Sequence, residues 1–166
     1  MNERNALMIR GPILAVDDDE DSRDTLRLAM ERLGAPKQMM FARDGEEALA
    51  YLQGEGEFSN RIVYPFPLLV LLDLKMPRMD GFQVLHWIRR ESTFWWLPVV
   101  VLTVSSLDQD VWRAYQEGAN SFMVKGVGIE ELAMQIGSVI QHWVRFSVHP
   151  GTTEGAPPRP PSSPER

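Results

Sequence analysis

Short apolar runs alternate along the chain with stretches whose apolar residues recur every three or four positions, the pattern of repeated βα units. Five strands are predicted: Ile13-Leu14-Ala15-Val16, Gln38-Met39-Met40-Phe41, Leu68 to Leu72, Val99 to Leu102 and Phe122-Met123-Val124. Three of them are apolar throughout, as strands buried on both faces of a parallel sheet are. Between them the helical stripes are Leu26, Met30 and Leu33, starting at Asp21 or Ser22 and stopping at Gly34; Phe82, Leu85 and Ile88 after Gly81; and Val111, Ala114 and Tyr115 before Gly118. A second helix falls near Glu46 to Leu52, and the last, with Leu132, Ile136, Val139, Ile140 and Trp143 on one face, spans Ile129 to Val144. Five alternating units predict an α/β fold with a parallel sheet covered by helices on both faces.

Composition narrows the class. The 166 residues carry 17 Lys+Arg against 23 Asp+Glu, a net charge of −6, with no cysteine. That length gives room for one hydrophobic core. The acidic balance and the lack of a basic stripe argue against direct DNA binding. Without thiols there is no disulfide framework, thiolate zinc site or iron–sulfur cluster. His86, His142 and His149 stand singly, without metal-ligand spacing. The longest apolar run, Leu68 to Leu72, is too short to span a bilayer, and Met1 to Arg10 lacks a signal peptide's apolar stretch, so the expected location is cytoplasmic. Residues 1–10 read as a flexible lead, 11–146 as the folded domain and 147–166 as a disordered Pro-rich tail; Pro157-Pro158-Arg159-Pro160-Pro161 could serve as a polyproline II ligand or simply as a solvated end.

The chemistry gathers at strand ends. In an open α/β sheet, ligands bind outside the carboxyl ends of the strands. Here the first strand runs into Asp17-Asp18-Asp19, the third into Asp73, the fourth into Thr103 and the fifth into Lys125. If Asp17, Asp18 and Asp73 converge to about 4–5 Å, each like-charged pair costs roughly 3–4 kcal/mol at an effective dielectric near 20. Three such carboxylates need cations, and a divalent ion plus the Lys125 ammonium balances them. Oxygen donors with room for water favour Mg²⁺ or Mn²⁺ over zinc. A carboxylate beside a metal, a lysine and a hydroxyl is equipped to accept a phosphoryl group. No nucleotide-binding loop is present, so the phosphoryl donor lies elsewhere.

The segments Ile13 to Asp19, Leu71-Leu72-Asp73-Leu74-Lys75-Met76-Pro77-Arg78-Met79-Asp80-Gly81, Val101-Leu102-Thr103 and Phe122-Met123-Val124-Lys125 resemble the receiver domain of two-component response regulators, over about Ile13 to Trp143. The resemblance implies a flavodoxin-like (βα)₅ sandwich with sheet order 2-1-3-4-5. It implies Asp73 as acceptor of phosphate from a sensor histidine kinase, Asp18 as the main metal carboxylate with Asp17 as its partner, and the backbone carbonyl of Lys75 as a further metal ligand. Thr103 and Lys125 would contact the phosphoryl group. Thr103 movement would be coupled to turning of Phe122, changing the face made by the fourth helix, fifth strand and fifth helix. Positions 75 and 105 are ones that influence dephosphorylation in this family. The single-domain receivers that work with bacterial phytochrome-type kinases look most similar, because they too have a long segment before the third strand, here Gln53 to Phe66. Gly126 departs from the family, which usually has proline after the lysine, commonly with a cis peptide.

Several readings stay open on sequence. Gln53 to Phe66 is either a surface loop or a kinase-specificity element. Phe94-Trp95-Trp96-Leu97 is either helix-end packing or a partner surface, while Trp112 and Trp143 are expected to be partial core. Output is a docked partner, a homodimer through the fourth-helix/fifth-helix face, or phosphate passed to a histidine phosphotransfer protein. The rival functions are a phosphorylation-independent binding module and a haloacid-dehalogenase-type phosphatase with Asp17 as nucleophile.

Overall fold

The computed structural model describes residues 11–147. The lead over 1–10 and residues 148–166 of the expected tail, with its polyproline segment, lie outside the described residues. Five parallel strands, β1 (Ile13–Val16), β2 (Met39–Ala42), β3 (Leu69–Leu72), β4 (Val99–Thr103) and β5 (Ser121–Val124), form one sheet in the order β2-β1-β3-β4-β5. The expected order is therefore observed, with strand ends within a residue of those predicted. The five helices are α1 (Glu20–Arg32), α2 (Gly45–Gln53), α3 (Gly81–His86), α4 (Asp108–Gln116) and α5 (Ile129–Val139).

Successive strand residues point to opposite faces, and the core divides accordingly. Leu14, Val16, Val70, Leu72, Val99 and Val101 pack on one side with Ala48, Leu52, Val84, Leu85 and Ala114 of α2, α3 and α4. Ile13, Ala15, Leu69, Leu71, Val100 and Leu102 pack on the other with Leu26, Ala29, Met30, Leu132 and Ile136 of α1 and α5. Both faces are covered, which is why the strands read as continuous apolar runs.

Helix ends differ from the sequence reading in instructive ways. The first helix starts at Glu20, before the expected Asp21 or Ser22, because the Asp19 side chain accepts from the Asp21 N–H at 3.2 Å and caps it. Ser22 is thereby left free for another role. The third helix loosens after His86 into a wider π turn over Trp87–Glu91, and the last does so over Ile140–Phe146, past the predicted end at Val144.

The Phe94 to Leu97 segment is a packing element. Leu97 is fully buried, and Phe66 meets Phe94 and Trp96 at ring-centroid distances of 4.7 and 6.1 Å. The long connection before β3 is equally anchored. Arg61 donates through Nη1 to the Tyr51 carbonyl (2.7 Å) and through Nη2 to the Leu52 carbonyl (2.8 Å), capping the end of α2. Tyr51, Phe58 and Tyr64 pack beside it, with Phe58 5.1 Å from each of the other two rings. Trp143 is partly buried as expected. Trp112 is not: it is 72% exposed, because the core-facing stripe of α4 is carried by Ala114 while Trp112 projects from the opposite side.

Candidate functional site

The carboxyl ends of β1 and β3 are adjacent, so the residues that follow them meet. Asp17 and Asp73 continue directly from their strands, held by Asp17 N–H to the Ala42 carbonyl (3.1 Å) and Asp73 N–H to the Val16 carbonyl (3.0 Å). One carboxylate oxygen from each of Asp17, Asp18 and Asp73 lies within 4.8 Å of the others. Asp17 and Asp73 are buried and Asp18 is exposed at the mouth. The three expected acids are thus brought together at the separation assumed from sequence.

Lys125, following β5, reaches across the top of the sheet. Its N–H donates to the Thr103 carbonyl at 2.8 Å, and its Nζ donates to Asp17 Oδ2 at 2.6 Å and to Ser22 Oγ at 2.9 Å. Ser22 Oγ in turn donates to the same Asp17 oxygen at 2.6 Å, while the Asp19 N–H donates to Asp17 Oδ1 at 3.0 Å. Arg23 Nη1 donates to the Asp17 carbonyl at 2.7 Å. Both Asp17 oxygens are therefore engaged. Asp73 is less occupied: its Oδ1 accepts from the Leu74 N–H at 2.9 Å. Burial pushes the Asp73 carboxyl above its ordinary value; Lys125 opposes this, Asp17 adds to it, and the Thr103 hydroxyl and Leu74 N–H oppose it.

The loop after Asp73 is shaped for this placement. A Cβ at Gly81 would collide with the Asp73 carbonyl oxygen, so α3 can begin this close to the site only with glycine there. Asp80 and Gln83 close a capping box over the same turn, with Gln83 N–H to Asp80 Oδ1 and Asp80 N–H to Gln83 Oε1 both at 2.9 Å. Thr103 is fully buried at the end of β4, and Phe122 of β5 is partly buried against the core. No cis peptide occurs among the described residues, so the bond before Gly126 is trans. Gly126 donates its N–H to Gln135 Oε1 at 2.9 Å, a bond proline could not make, and Lys125 still reaches the pocket.

Sequence reasoning missed three contributors. The sequence marks Ser22 only as a possible start of the first helix, and singles out neither Arg23 nor Asp110. Asp110 is buried, and its Oδ2 accepts from Ser105 Oγ at 2.6 Å and pairs with Lys75 Nζ at 3.0 Å. No one-dimensional spacing links positions 75, 105 and 110.

Oxygen donors alone make up the trio, which fits a hard divalent cation. The buried pair of acids, with one ammonium to offset them, leaves negative charge for such an ion to balance.

Residues 13–137 match the response regulator receiver domain family. The chain is 36% identical over 142 residues to the probable methanogenesis regulatory protein FilR2 of Methanothrix harundinacea, covering 84% of this chain and 87% of that one. It is 34% identical over 128 residues to response regulator Rcp1 of Synechocystis sp., covering 75% and 85%. Its fold matches the phosphorylated cyanobacterial phytochrome response regulator RcpA with a TM-score of 0.75 at 30% identity, and the Mn²⁺-bound form of Rcp1 with 0.72 at 32%, each over 85% of this chain and 99% of the other. Identity at this level across most of both chains reflects common descent as well as common architecture, and the chain belongs to the response regulator receiver domain family of two-component systems.

Proposed function

We propose that this receiver, comprising residues 11–146, accepts a phosphoryl group on Asp73 from the phosphohistidine of a sensor histidine kinase. The observation that carries this reading is the clustering of Asp73 with Asp17 and Asp18 within 4.8 Å, with Asp73 the least hydrogen-bonded of the two buried acids. An Asp73 carboxylate oxygen attacks phosphorus in line, the O–P bond forms as the P–N bond to imidazole breaks, and the imidazole nitrogen takes up a proton. Asp17, Asp18, Asp73 and the Lys75 carbonyl are the groups that would hold Mg²⁺ or Mn²⁺. The cation would neutralise charge on the phosphoryl oxygens. Lys125 stands ready to leave Asp17 for a phosphoryl oxygen, and Thr103 to donate its hydroxyl to another.

That both Asp17 oxygens accept hydrogen bonds, one of them from an ammonium, argues against Asp17 as a phosphatase nucleophile. The response to phosphorylation is a population shift in which Thr103 moves and Phe122 repacks. Apolar side chains on the α4-β5-α5 face support its role as the output surface: Trp112 and Tyr115 of α4, Val124 of β5 and Met134 of α5 are all exposed. That face would take a partner or a second copy, with a histidine phosphotransfer protein as a further phosphoryl recipient. The likeness to RcpA and Rcp1 favours a phytochrome-type kinase as donor.

Incubation with acetyl phosphate and Mg²⁺, followed by intact mass measurement, tests the reading. A one-phosphate gain is expected in the wild type and in neither Asp73→Asn nor samples without Mg²⁺. No gain in the wild type, with Mg²⁺ bound, would favour a phosphorylation-independent binding module. A monomer by sedimentation with and without a phosphoryl analogue would remove the homodimer.

A further inference from the structure

Lys75 and Ser105 lie two residues beyond Asp73 and Thr103, in the loops that follow β3 and β4. Both of these side chains turn to a single atom on α4. Asp110 Oδ2 accepts from Ser105 Oγ at 2.6 Å and pairs with Lys75 Nζ at 3.0 Å. The Asp110 side chain is 8% exposed, whereas that of Lys75 is 56% exposed, so the fixed partner is the carboxylate and the captured one is the ammonium. Ser105 fixes the carboxylate further. Its hydroxyl bonds to Asp110, and the Ser105 N–H lies 3.4 Å from Thr103 Oγ1, continuing the chain of contacts to the buried end of β4.

This arrangement decides where one positive charge sits. Lys75 is close enough in sequence to Asp73 to fold back over three converging carboxylates, whose negative charge would attract it. Asp110 on α4 offers a competing anion, 3.0 Å from Lys75 Nζ.

We propose that Asp110 is a positioning residue for the acidic pocket: its buried carboxylate holds the Lys75 ammonium away from Asp17, Asp18 and Asp73, leaving their charge to a divalent cation. The proposal rests on the reading of those acids as a divalent-cation site. It adds to that site a residue on α4 whose hydrogen bond and ion pair go to Ser105 and Lys75. Half of the pair is solvated, so the effect is moderate.

The test is Mg²⁺ affinity of the full chain, measured by isothermal titration calorimetry in physiological salt, with Mn²⁺ as a second probe. Asp110→Asn is nearly isosteric and keeps an acceptor for Ser105, and thermal melting checks its fold. It releases Lys75, and Mg²⁺ affinity is expected to fall about threefold to tenfold as the freed ammonium competes for the pocket. Adding Lys75→Met to Asp110→Asn removes the competitor and should return affinity to within about twofold of wild type. Asp108→Asn, an exposed acid on the same turn of α4, controls for simple loss of a negative charge and should change affinity by less than about twofold at that ionic strength. Wild-type affinity in Asp110→Asn, or a double variant as weak as the single one, would overturn the proposal while leaving the cation site intact. A wild type that binds neither Mg²⁺ nor Mn²⁺ would instead remove the cation site, and the proposal with it.

Discussion

At the edge where β3 and β4 begin, Tyr51, Phe58, Tyr64, Phe66, Phe94 and Trp96 pack ring against ring, with Arg61 donating to the last carbonyls of α2. At the edge where the same strands finish, Asp17, Asp18 and Asp73 are held within 4.8 Å of one another with one ammonium among them. The buried unpartnered side-chain atoms among the described residues, Gln38 Oε1 and the indole N–H groups of Trp95 and Trp96, are neutral and precede β2 and β4 at the first edge. The second keeps unbalanced charge. Burial lowers free energy at one edge, and at the other raises the cost of an ionised Asp73. One short sheet therefore separates a region built for stability from one whose instability is available to a ligand.

Emptying the aromatic edge should have the largest effect. Phe58→Ala is expected to destabilise the protein by about 3–5 kcal/mol in urea unfolding, with Mg²⁺ affinity unchanged. Arg61→Ala removes charge-assisted bonds to buried carbonyls and should cost about 2–3 kcal/mol by the same measurement. Equal losses of metal affinity in either variant would show that the two edges are not separable. Trp96→Phe removes an unpaired N–H together with some packing, so the two changes offset and stability should move by less than about 1 kcal/mol.

Alkaline titration sharpens the same comparison. Burial pushes the Tyr51 hydroxyl up to about 12, against the opposing charge of Arg61. Its folded value exceeds its unfolded value near 10, so the stability it contributes is fully present below pH 10, declines between about 10 and 12, and is lost above. Tyr51→Phe, lacking that hydroxyl and its 2.9 Å bond to the Pro65 carbonyl, should lose this part of the alkaline slope in pH-dependent unfolding.

The fold was legible because both sheet faces are buried: strands that must be apolar on each side announce themselves within a residue of their ends. The acidic pocket was legible for a related reason, since Asp17, Asp73, Thr103 and Lys125 each terminate an apolar run and a parallel sheet aligns those ends. What pattern could not show were contacts between loops. Asp110 sits in the first turn of a helix, where acids are common, and only the approach of two separate loops reveals it as a shared anchor. Trp112 was misjudged because a short helix with Ala114 as its core contact leaves large neighbours to solvent. The Phe94–Trp96 rings needed Phe66, remote in sequence, to become interior packing.

On the proposed function, charge held out of balance at Asp73 is what the site offers a cation and a phosphoryl group. Thermal unfolding of the wild type and Asp73→Asn, each without and with Mg²⁺, tests it most directly. Removing the charge should stabilise the metal-free protein, because burial raises the Asp73 carboxyl and an ionised buried carboxylate costs stability at neutral pH. Mg²⁺ should raise the melting temperature of the wild type well above that of its metal-free form and shift Asp73→Asn far less. Equal metal-free stabilities together with equal Mg²⁺ shifts would contradict the account.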